Sequence, residues 1–348
     1  MEPALPAVLR LPPHHSVLQL GTDGRLLGLD PGQALAVEQL APGLAAMLDE
    51  LVEPVAADAL LDRAVHRGAA REVAEQLLHE LVEAGAVVDA GLIERRARHR
   101  AASSVVVSGD GPLAVGMVVG LVQAGVGAVY TEATGTVLAA DLGTGHVDAE
   151  RGHRRAAAIR NAVRRVRPDA DAPPAPARLV PDLVVLADAQ APEPARLARL
   201  HARGDAHLMV RMRDGIGVVG PLVVPGRTAC LSCLDRQRRA RAPNWPTVAA
   251  QLTGRPGRAD PAATAATAAL GVGQALAALD STGGGARPPT WQATLELDAM
   301  AGTIVRRSWS PQAGCGCGAG PVPHTAPGGI RHHGATSAEP GGGERIMV

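Results

Sequence analysis

Three apolar stripes at helical spacing mark the first hundred residues of this 348-residue chain. Leu44, Met47, Leu48 and Leu51 form one, and Leu60, Leu61 and Val65 a second. Val73, Leu77, Leu78, Leu81 and Val82 form the third, within 70–84. Gly85 follows as a C-terminal cap, and Ala86–Val88 is extended. Ahead of the helices, Val8–Leu11, Ser16–Leu20 and Arg25–Leu29 read as short strands. Gly21-Thr22-Asp23-Gly24 supplies a hairpin turn between the last two. Three small helices and a short sheet predict a winged-helix-like α+β domain over residues 1–95. The Arg-rich stretch 95–100 predicts a solvated linker, assigned to 96–103.

The pattern changes at Ser104. Val105-Val106-Val107 is a buried-strand signal, a helix follows over 111–124, and Val126–Tyr130 is a second strand. Arg154–Val166 has amphipathic helical spacing. Leu183–Leu186 is a third strand, Pro194–Ala202 a helix, and His207–Arg211 and Gly217–Val224 further strands. Strands alternating with helices predict a Rossmann-like α/β domain over 104–318, with a parallel, doubly wound sheet. Asp171–Ala177, with three prolines, is a loop. Residues 319–348, rich in Gly, Pro and His, predict a disordered tail in which His324, His332 and His333 bind metal only adventitiously.

Composition removes several function classes. The formal net charge is +0, so no global field favours nucleic acid or an anionic membrane. Aromatic content is 1% with no Phe, too little for base-stacking platforms. Residues 1–90 carry no basic stripe of a DNA-reading winged helix. No apolar run reaches the ~18 residues that suggest a membrane helix. Met1–Leu20 lacks the layout of a secretory signal, so a cytoplasmic location is expected. No G-x-S-x-G elbow points to a serine hydrolase.

The four cysteines fall in two tight pairs, Cys230/Cys233 and Cys315/Cys317. In a reducing compartment such pairs predict metal ligands before disulfides. Four thiolates make a closed tetrahedral zinc site with no open position, hence a structural one. If all four bind zinc, no thiol remains for a thioester or persulfide.

Gly109-Asp110-Gly111-Pro112-Leu113-Ala114 directly follows a strand and precedes a helix. A nucleotide loop needs that placement: Gly109, Gly111 and Ala114 allow close backbone approach, and the helix start aims at phosphate. Glu132, about 20 residues on at the end of the next strand, stands where an acid binds a ribose hydroxyl.

Taken in order, the Gly loop, Asp182-Leu183-Val184-Val185-Leu186-Ala187-Asp188, Gly215–Pro225, Cys230-x-x-Cys233 and the late cysteine pair resemble the ThiF-like (ubiquitin-activating-enzyme-like) family over residues 104–318. Gly220–Arg236, Pro243-Asn244-Trp245-Pro246, Trp291–Leu297 and Ser308-Trp309-Ser310 are closest to one branch. That branch is the cyclodehydratase partner of ribosomal-peptide natural-product clusters, a leader-peptide-binding protein. The resemblance implies that residues 1–95 clamp a precursor leader peptide as an added strand. The expected edge is Ser16–Leu20 or Arg25–Leu29, facing Leu77 and Leu81. It also implies a separate YcaO-type cyclodehydratase as partner and, by fold analogy, a homodimer.

The resemblance further implies ATP and Mg²⁺, with Asp188 as the Mg²⁺-linked acid. Here the sequence departs from the active pattern. The family's Asn-x-x-Arg-Gln element corresponds to Asp141-Leu142-Gly143-Thr144-Gly145, which has no Arg, and the family's following Lys has no counterpart. Arg151, Arg154 or Arg155 are the substitutes within reach. Two readings follow: a leader-peptide-binding scaffold, and an ATP-dependent adenylyltransferase acting on a peptide or ubiquitin-like C-terminus.

Overall fold

The computed structural model describes residues 4–320. They fall into two compact units, which divide between Arg96 and Ala97. The expected tail, with its three histidines, lies outside the described residues except for Ala319 and Gly320.

The first unit runs β1 (Val8–Arg10), β2 (Val17–Leu20), β3 (Gly24–Leu27), β4 (Leu35–Val37), α1 (Pro42–Glu50), β5 (Val55–Ala56), α2 (Ala57–His66), α3 (Arg71–Glu83) and β6 (Val88–Asp89). The helices stand where the apolar stripes put them. Gly85, at φ +74, ends α3 in the left-handed conformation that glycine adopts without strain. The strands form two three-stranded sheets, β2–β3–β4 and β5–β1–β6. β4, β5 and β6 are two or three residues long, too short for alternation to mark them in the sequence. Because β4 exists, the Arg25–Leu29 segment is a central strand and not an edge, whereas β2 is an edge. Leu81 belongs to the core, 1% exposed, and not to an open groove. Leu9, Met47, Leu48, Leu51, Leu60 and Leu78 are fully buried with it. Each such side chain contributes about 1.5–3 kcal/mol of transfer free energy.

The stretch expected as a linker is helical: α4 spans Ala90–Ala102. Arg and Ala are strong helix formers, and Asp89 accepts from Gly91 N (2.8 Å) and from Arg95 (2.8 Å) at its start.

The second unit continues with β7 (Ser104–Ser108), α5 (Pro112–Gln123), β8 (Ala128–Glu132), α6 (Arg155–Val166), β9 (Leu183–Ala187), α7 (Pro194–Arg203), β10 (His207–Arg213), β11 (Ile216–Val223), α8 (Leu231–Arg241), α9 (Trp245–Leu252), α10 (Pro261–Thr282), β12 (Ala293–Asp298) and β13 (Thr303–Ser308). One seven-stranded sheet has the order β13-β12-β11-β10-β9-β7-β8. The expectation of a parallel sheet holds for β8, β7, β9 and β10 only; the β10 to β13 ladders are antiparallel. The reversal begins at Asp214-Gly215, both at positive φ (50 and 83), a two-residue hairpin turn of the Asp-Gly kind. Such a turn joins neighbouring strands directly and leaves no room for a crossover helix.

One face of this sheet packs against α5, α6 and α10, and the other carries α7, α8 and the cysteine segments. α10 is long and apolar enough to cross a membrane, contrary to the expectation from uninterrupted runs; Thr264, Thr267 and Gln274 conceal it in the sequence. Half of its apolar window is buried, against α5, β10 and β11. Small residues set that packing. A Cβ on Gly116 would meet Ala268 at 2.8 Å, and one on Gly120 would meet Val272 at 2.6 Å. Arg100 in α4 grips Asp280 of α10 through two hydrogen bonds, 2.8 and 2.5 Å.

Candidate functional site

Two constellations predicted from the sequence assemble within the second unit. The first lies where the strand order reverses. β7 leads through α5 to β8 on one side, while β9 lies on the other side of β7. The crevice outside the carboxyl ends of β7 and β9 is therefore a topological switch point, the usual ligand position in such sheets. Gly109 and Gly111 follow β7 there, and Asp188 follows β9.

Asp188 occupies the start of α5. Its carboxylate accepts from the backbone N–H groups of Gly111 (2.9 Å), Leu113 (3.0 Å) and Ala114 (3.3 Å). Its backbone is left-handed, φ +70. These donors are the ones a nucleotide phosphate would use. The glycines have a local explanation as well. A Cβ on Gly109 would meet Asp188 Oδ2 at 2.6 Å, and one on Gly111 would meet Asp188 Oδ1 at 2.7 Å. Asp188 is 6% exposed, and burial pushes its carboxyl up to about 6 against the three backbone donors.

Glu132 ends β8, but its carboxylate is held by Arg196 of α7. Asp110, within the glycine loop, accepts from Thr134 N (2.5 Å) and Thr134 Oγ1 (2.8 Å). Two of the three substitute cations are engaged elsewhere. Arg155 donates to Asp141 (3.0 and 2.9 Å) and to Thr134 O (3.1 Å), and Arg151 pairs with Asp148 at 3.3 Å. The backbone of Arg154 bridges Thr136. Thr144, in the segment that lacks the family's Arg, donates to Pro112 O at the start of α5 (2.5 Å).

The second constellation is a four-sulfur cage. Cys230 caps the N-terminus of α8 and Cys233 lies in its first turn. Cys315 and Cys317 flank Gly316, whose φ of +72 turns the chain back. Cys230 and Cys315 sulfurs are 3.5 Å apart, Cys233 and Cys317 3.7 Å, and Cys230 and Cys233 3.8 Å; all four lie within 4.8 Å of one another. Zinc–thiolate bonds of about 2.3 Å at tetrahedral angles give sulfur–sulfur edges of about 3.8 Å. The donor set and its spacing therefore suit zinc, and the cage could hold it. The four cysteines are not joined as disulfides. Burial pushes the Cys230 and Cys233 thiols up, a cost that a bound cation reverses. Gln312 N donates to Cys233 Sγ (3.3 Å), the kind of outer contact that orients a ligand.

Sequence reasoning missed a cavity of about 930 Å³ among α7, α8, α9 and the cysteine segments, with Arg211 and Arg238 in its wall. The available signal was the alternation in His207–Arg213. Leu208, Val210 and Met212 face the main core, leaving His207, Met209, Arg211 and Arg213 on the opposite face.

No family model matches the sequence, and none of the curated proteins compared with it does. Solved structures do match. MccB of E. coli with ATP aligns at a TM-score of 0.68 and 14% identity, covering 90% of this chain and 100% of that one. The microcin C7 biosynthetic enzyme MccB in complex with N-formylated MccA aligns at 0.67 and 13%, covering 89% and 99%. A heterocyclase in complex with substrate and cofactor aligns at 0.58 and 14%, covering 90% of this chain and 40% of that one. At such identities the likeness is one of fold, and the fold is the ThiF-like one that the ordered motifs of residues 104–318 resemble.

Proposed function

We propose that this chain is a leader-peptide-binding scaffold of ribosomal-peptide biosynthesis. It presents a precursor peptide to a separate YcaO-type cyclodehydratase that forms thiazole or oxazole rings. Residues 1–95 act as a winged-helix-like clamp, residues 104–318 as a platform stapled by structural zinc, and the protein works in the cytoplasm. Two of the fold relatives, MccB with MccA and the heterocyclase with its substrate, are peptide or substrate complexes by name, which supports this direction.

The observation that carries the clamp is the free edge of β2. Gly28 N donates to Ser16 O (2.9 Å), and the register pairs Leu18 with Leu26 and Leu20 with Gly24. Antiparallel pairing alternates, so Ser16, Leu18 and Leu20 bond inward to β3. The N–H and C=O groups of Val17 and Gln19 are then left on the open edge. Leu18 and Leu20, 41% and 36% exposed, offer apolar side chains on one face of the same strand. An extended peptide needs both features: main-chain partners for affinity and side-chain contacts for specificity. The variant that tests this edge is Gln19→Pro, which removes an outward donor and no ladder bond.

The second reading, an adenylyltransferase, is favoured by the survival of Gly109, Gly111, Ala114 and Asp188 at the switch point. Against it stand the engagement of Asp188 with α5 and the ion pairs that hold Arg151 and Arg155. Calorimetric titration with Mg²⁺-ATP separates the two. The scaffold reading expects no heat of binding up to millimolar nucleotide. Micromolar binding that Asp188→Ala abolishes, with pyrophosphate released on adding peptide, would establish the enzyme instead.

A further inference from the structure

The formal net charge of +0 conceals an opposition along the chain. Residues 1–95 hold six Arg against 15 Asp and Glu, a formal charge of −9, and residues 96–348 hold 28 against 19, or +9. The imbalance is sharpest over residues 11–62, where Arg25 is the one Arg among eight acids. The cations of the first unit are also engaged. Arg25 pairs with Asp49, Arg63 and Arg67 with Glu50, Arg71 with Asp62 and Glu75, and Arg95 with Asp89. Arg10 donates to the carbonyls of Leu11 and Val52. Acids left over in a domain this small repel one another and set up a negative field around it.

Three of the acids without an Arg partner among the described residues frame the β2–β3–β4 sheet. Asp23 closes the β2–β3 turn. Its carbonyl accepts from Leu40 N (2.8 Å), which brings Glu38, just past β4, to the same end of the sheet. Asp30 follows β3 at the opposite end, where Gly28 N meets Ser16 O. Asp30 Oδ1 accepts from Gly32 N (2.8 Å), a neutral donor that leaves its charge uncompensated. All three acids are exposed. The one Arg of the sheet, Arg25, is held by both oxygens of Asp49 (2.6 and 2.8 Å). The four residues of β2, at about 3.3 Å each, separate the two ends by roughly 13 Å. That exceeds the Debye length of about 8 Å at physiological salt, so each end acts on its own flank of a ligand.

We propose that the open edge of β2 selects a basic peptide segment, an apolar strand core flanked on both sides by Lys or Arg. The core pairs with the backbone of Val17 and Gln19 and covers Leu18 and Leu20. One basic flank meets Asp23 and Glu38, and the other meets Asp30. Charge of opposite sign steers the encounter and rejects acidic competitors that could form the same backbone bonds. The inference rests on the reading of β2 as a peptide-binding edge and adds to it the chemistry of the ligand.

The test is fluorescence anisotropy with the full-length chain. The probe is Lys-Lys-Leu-Ser-Leu-Ser-Leu-Lys-Lys amide carrying a neutral dye, beside counterparts with every Lys replaced by Ser or by Glu. The Lys peptide is expected to bind at least tenfold more tightly than the Ser peptide, and the Glu peptide most weakly. The gap should close to within threefold at about 500 mM salt, where the Debye length falls to roughly 4 Å. It should close equally in the triple variant Asp23→Asn, Asp30→Asn, Glu38→Gln, whose exposed positions leave the melting temperature unchanged. Gln19→Pro should lose binding of every peptide. Equal binding of the three peptides, lost in Gln19→Pro, would overturn the basic preference and leave the peptide-binding edge standing. A Lys preference that survives in Gln19→Pro or in the triple variant would place the basic segment elsewhere and overturn the proposal. Absence of saturable binding by the Lys peptide would overturn it too; the edge itself is then judged separately, by Gln19→Pro against the encoded precursor.

Discussion

With zinc in the cage, replacing Cys315 with Ser is expected to release the metal and lower the melting temperature by on the order of 10 °C. Three sulfur–sulfur distances of 3.5–3.8 Å are close to the edges of a zinc tetrahedron, and all four sulfurs lie within 4.8 Å of one another. A zinc held between them would close a long loop: Cys230 and Cys315 stand 85 positions apart. By the chain-entropy model, a cross-link over that length removes about 4–5 kcal/mol from the unfolded ensemble. In a unit of this size each kcal/mol shifts the melting point by about 2–4 °C. Ser keeps the volume but ligates zinc poorly, leaving three ligands where four close the site. Metal analysis and a thermal scan read both effects. One zinc per wild-type chain, lost together with the melting temperature, is the expected pair. A metal-free wild-type protein, prepared under reducing conditions without a chelator, would refute the zinc staple.

Asp188→Ala is expected to cost about 3–4 kcal/mol even with no nucleotide present. It strips the acceptor from the three N–H groups of Gly111, Leu113 and Ala114 at a buried helix start. Each unmet buried donor costs about 1–3 kcal/mol, softened where water enters the crevice. Alanine must also adopt a φ of +70, for about 1 kcal/mol more. Asp188→Asn keeps an acceptor oxygen and tolerates the left-handed conformation, so its loss should be smaller. The two variants also separate in pH. The Asp188 carboxyl is pushed up to about 6, whereas an unfolded chain titrates it near 3.9. The folded protein therefore keeps a proton that the unfolded chain has released. Its contribution is fully present below pH ~4 and is lost as pH rises through 6, up to about 3 kcal/mol. In urea unfolding, wild type should gain on Asp188→Asn on going from pH 7 to pH 5. An Asp188→Asn difference that shrinks on acidification would show that the backbone donors, and not burial, dominate the site.

The cysteine pairs and the glycine loop were legible because each is written in short-range spacing. Cys230-x-x-Cys233 and the strand–glycine–helix run at 105–114 carry their own geometry. The order of strands and helices from β7 through β10 was legible for the same reason, since each element has its own periodicity. Three things were not. The Asp214-Gly215 hairpin was available as a turn signal, yet it lay between two strands already assigned to a parallel sheet. α10 has polar residues in its packed stripe, so its apolar character shows only in the mean. Arg95–Arg100 is charged enough to look solvated, but its Arg100 is matched by Asp280, 180 positions away. Long-range pairing of this kind also hid what Asp188 does. Nothing beside Asp188 in the chain reveals that its carboxylate reaches the start of α5, 74–77 positions earlier. The same distance effect hid the ion pair of Glu132 with Arg196.

The most direct test of the scaffold account is fluorescence anisotropy with the labelled leader segment of the precursor peptide encoded nearest to this chain's gene. The partners are the full-length protein, Gln19→Pro on β2, and Ala36→Pro on the opposite edge strand β4. The account predicts micromolar binding to wild type without ATP, at least a tenfold loss in Gln19→Pro, and wild-type affinity in Ala36→Pro, with all three melting alike. Equal binding to wild type and Gln19→Pro would contradict it, as would binding that appears only when Mg²⁺-ATP is added.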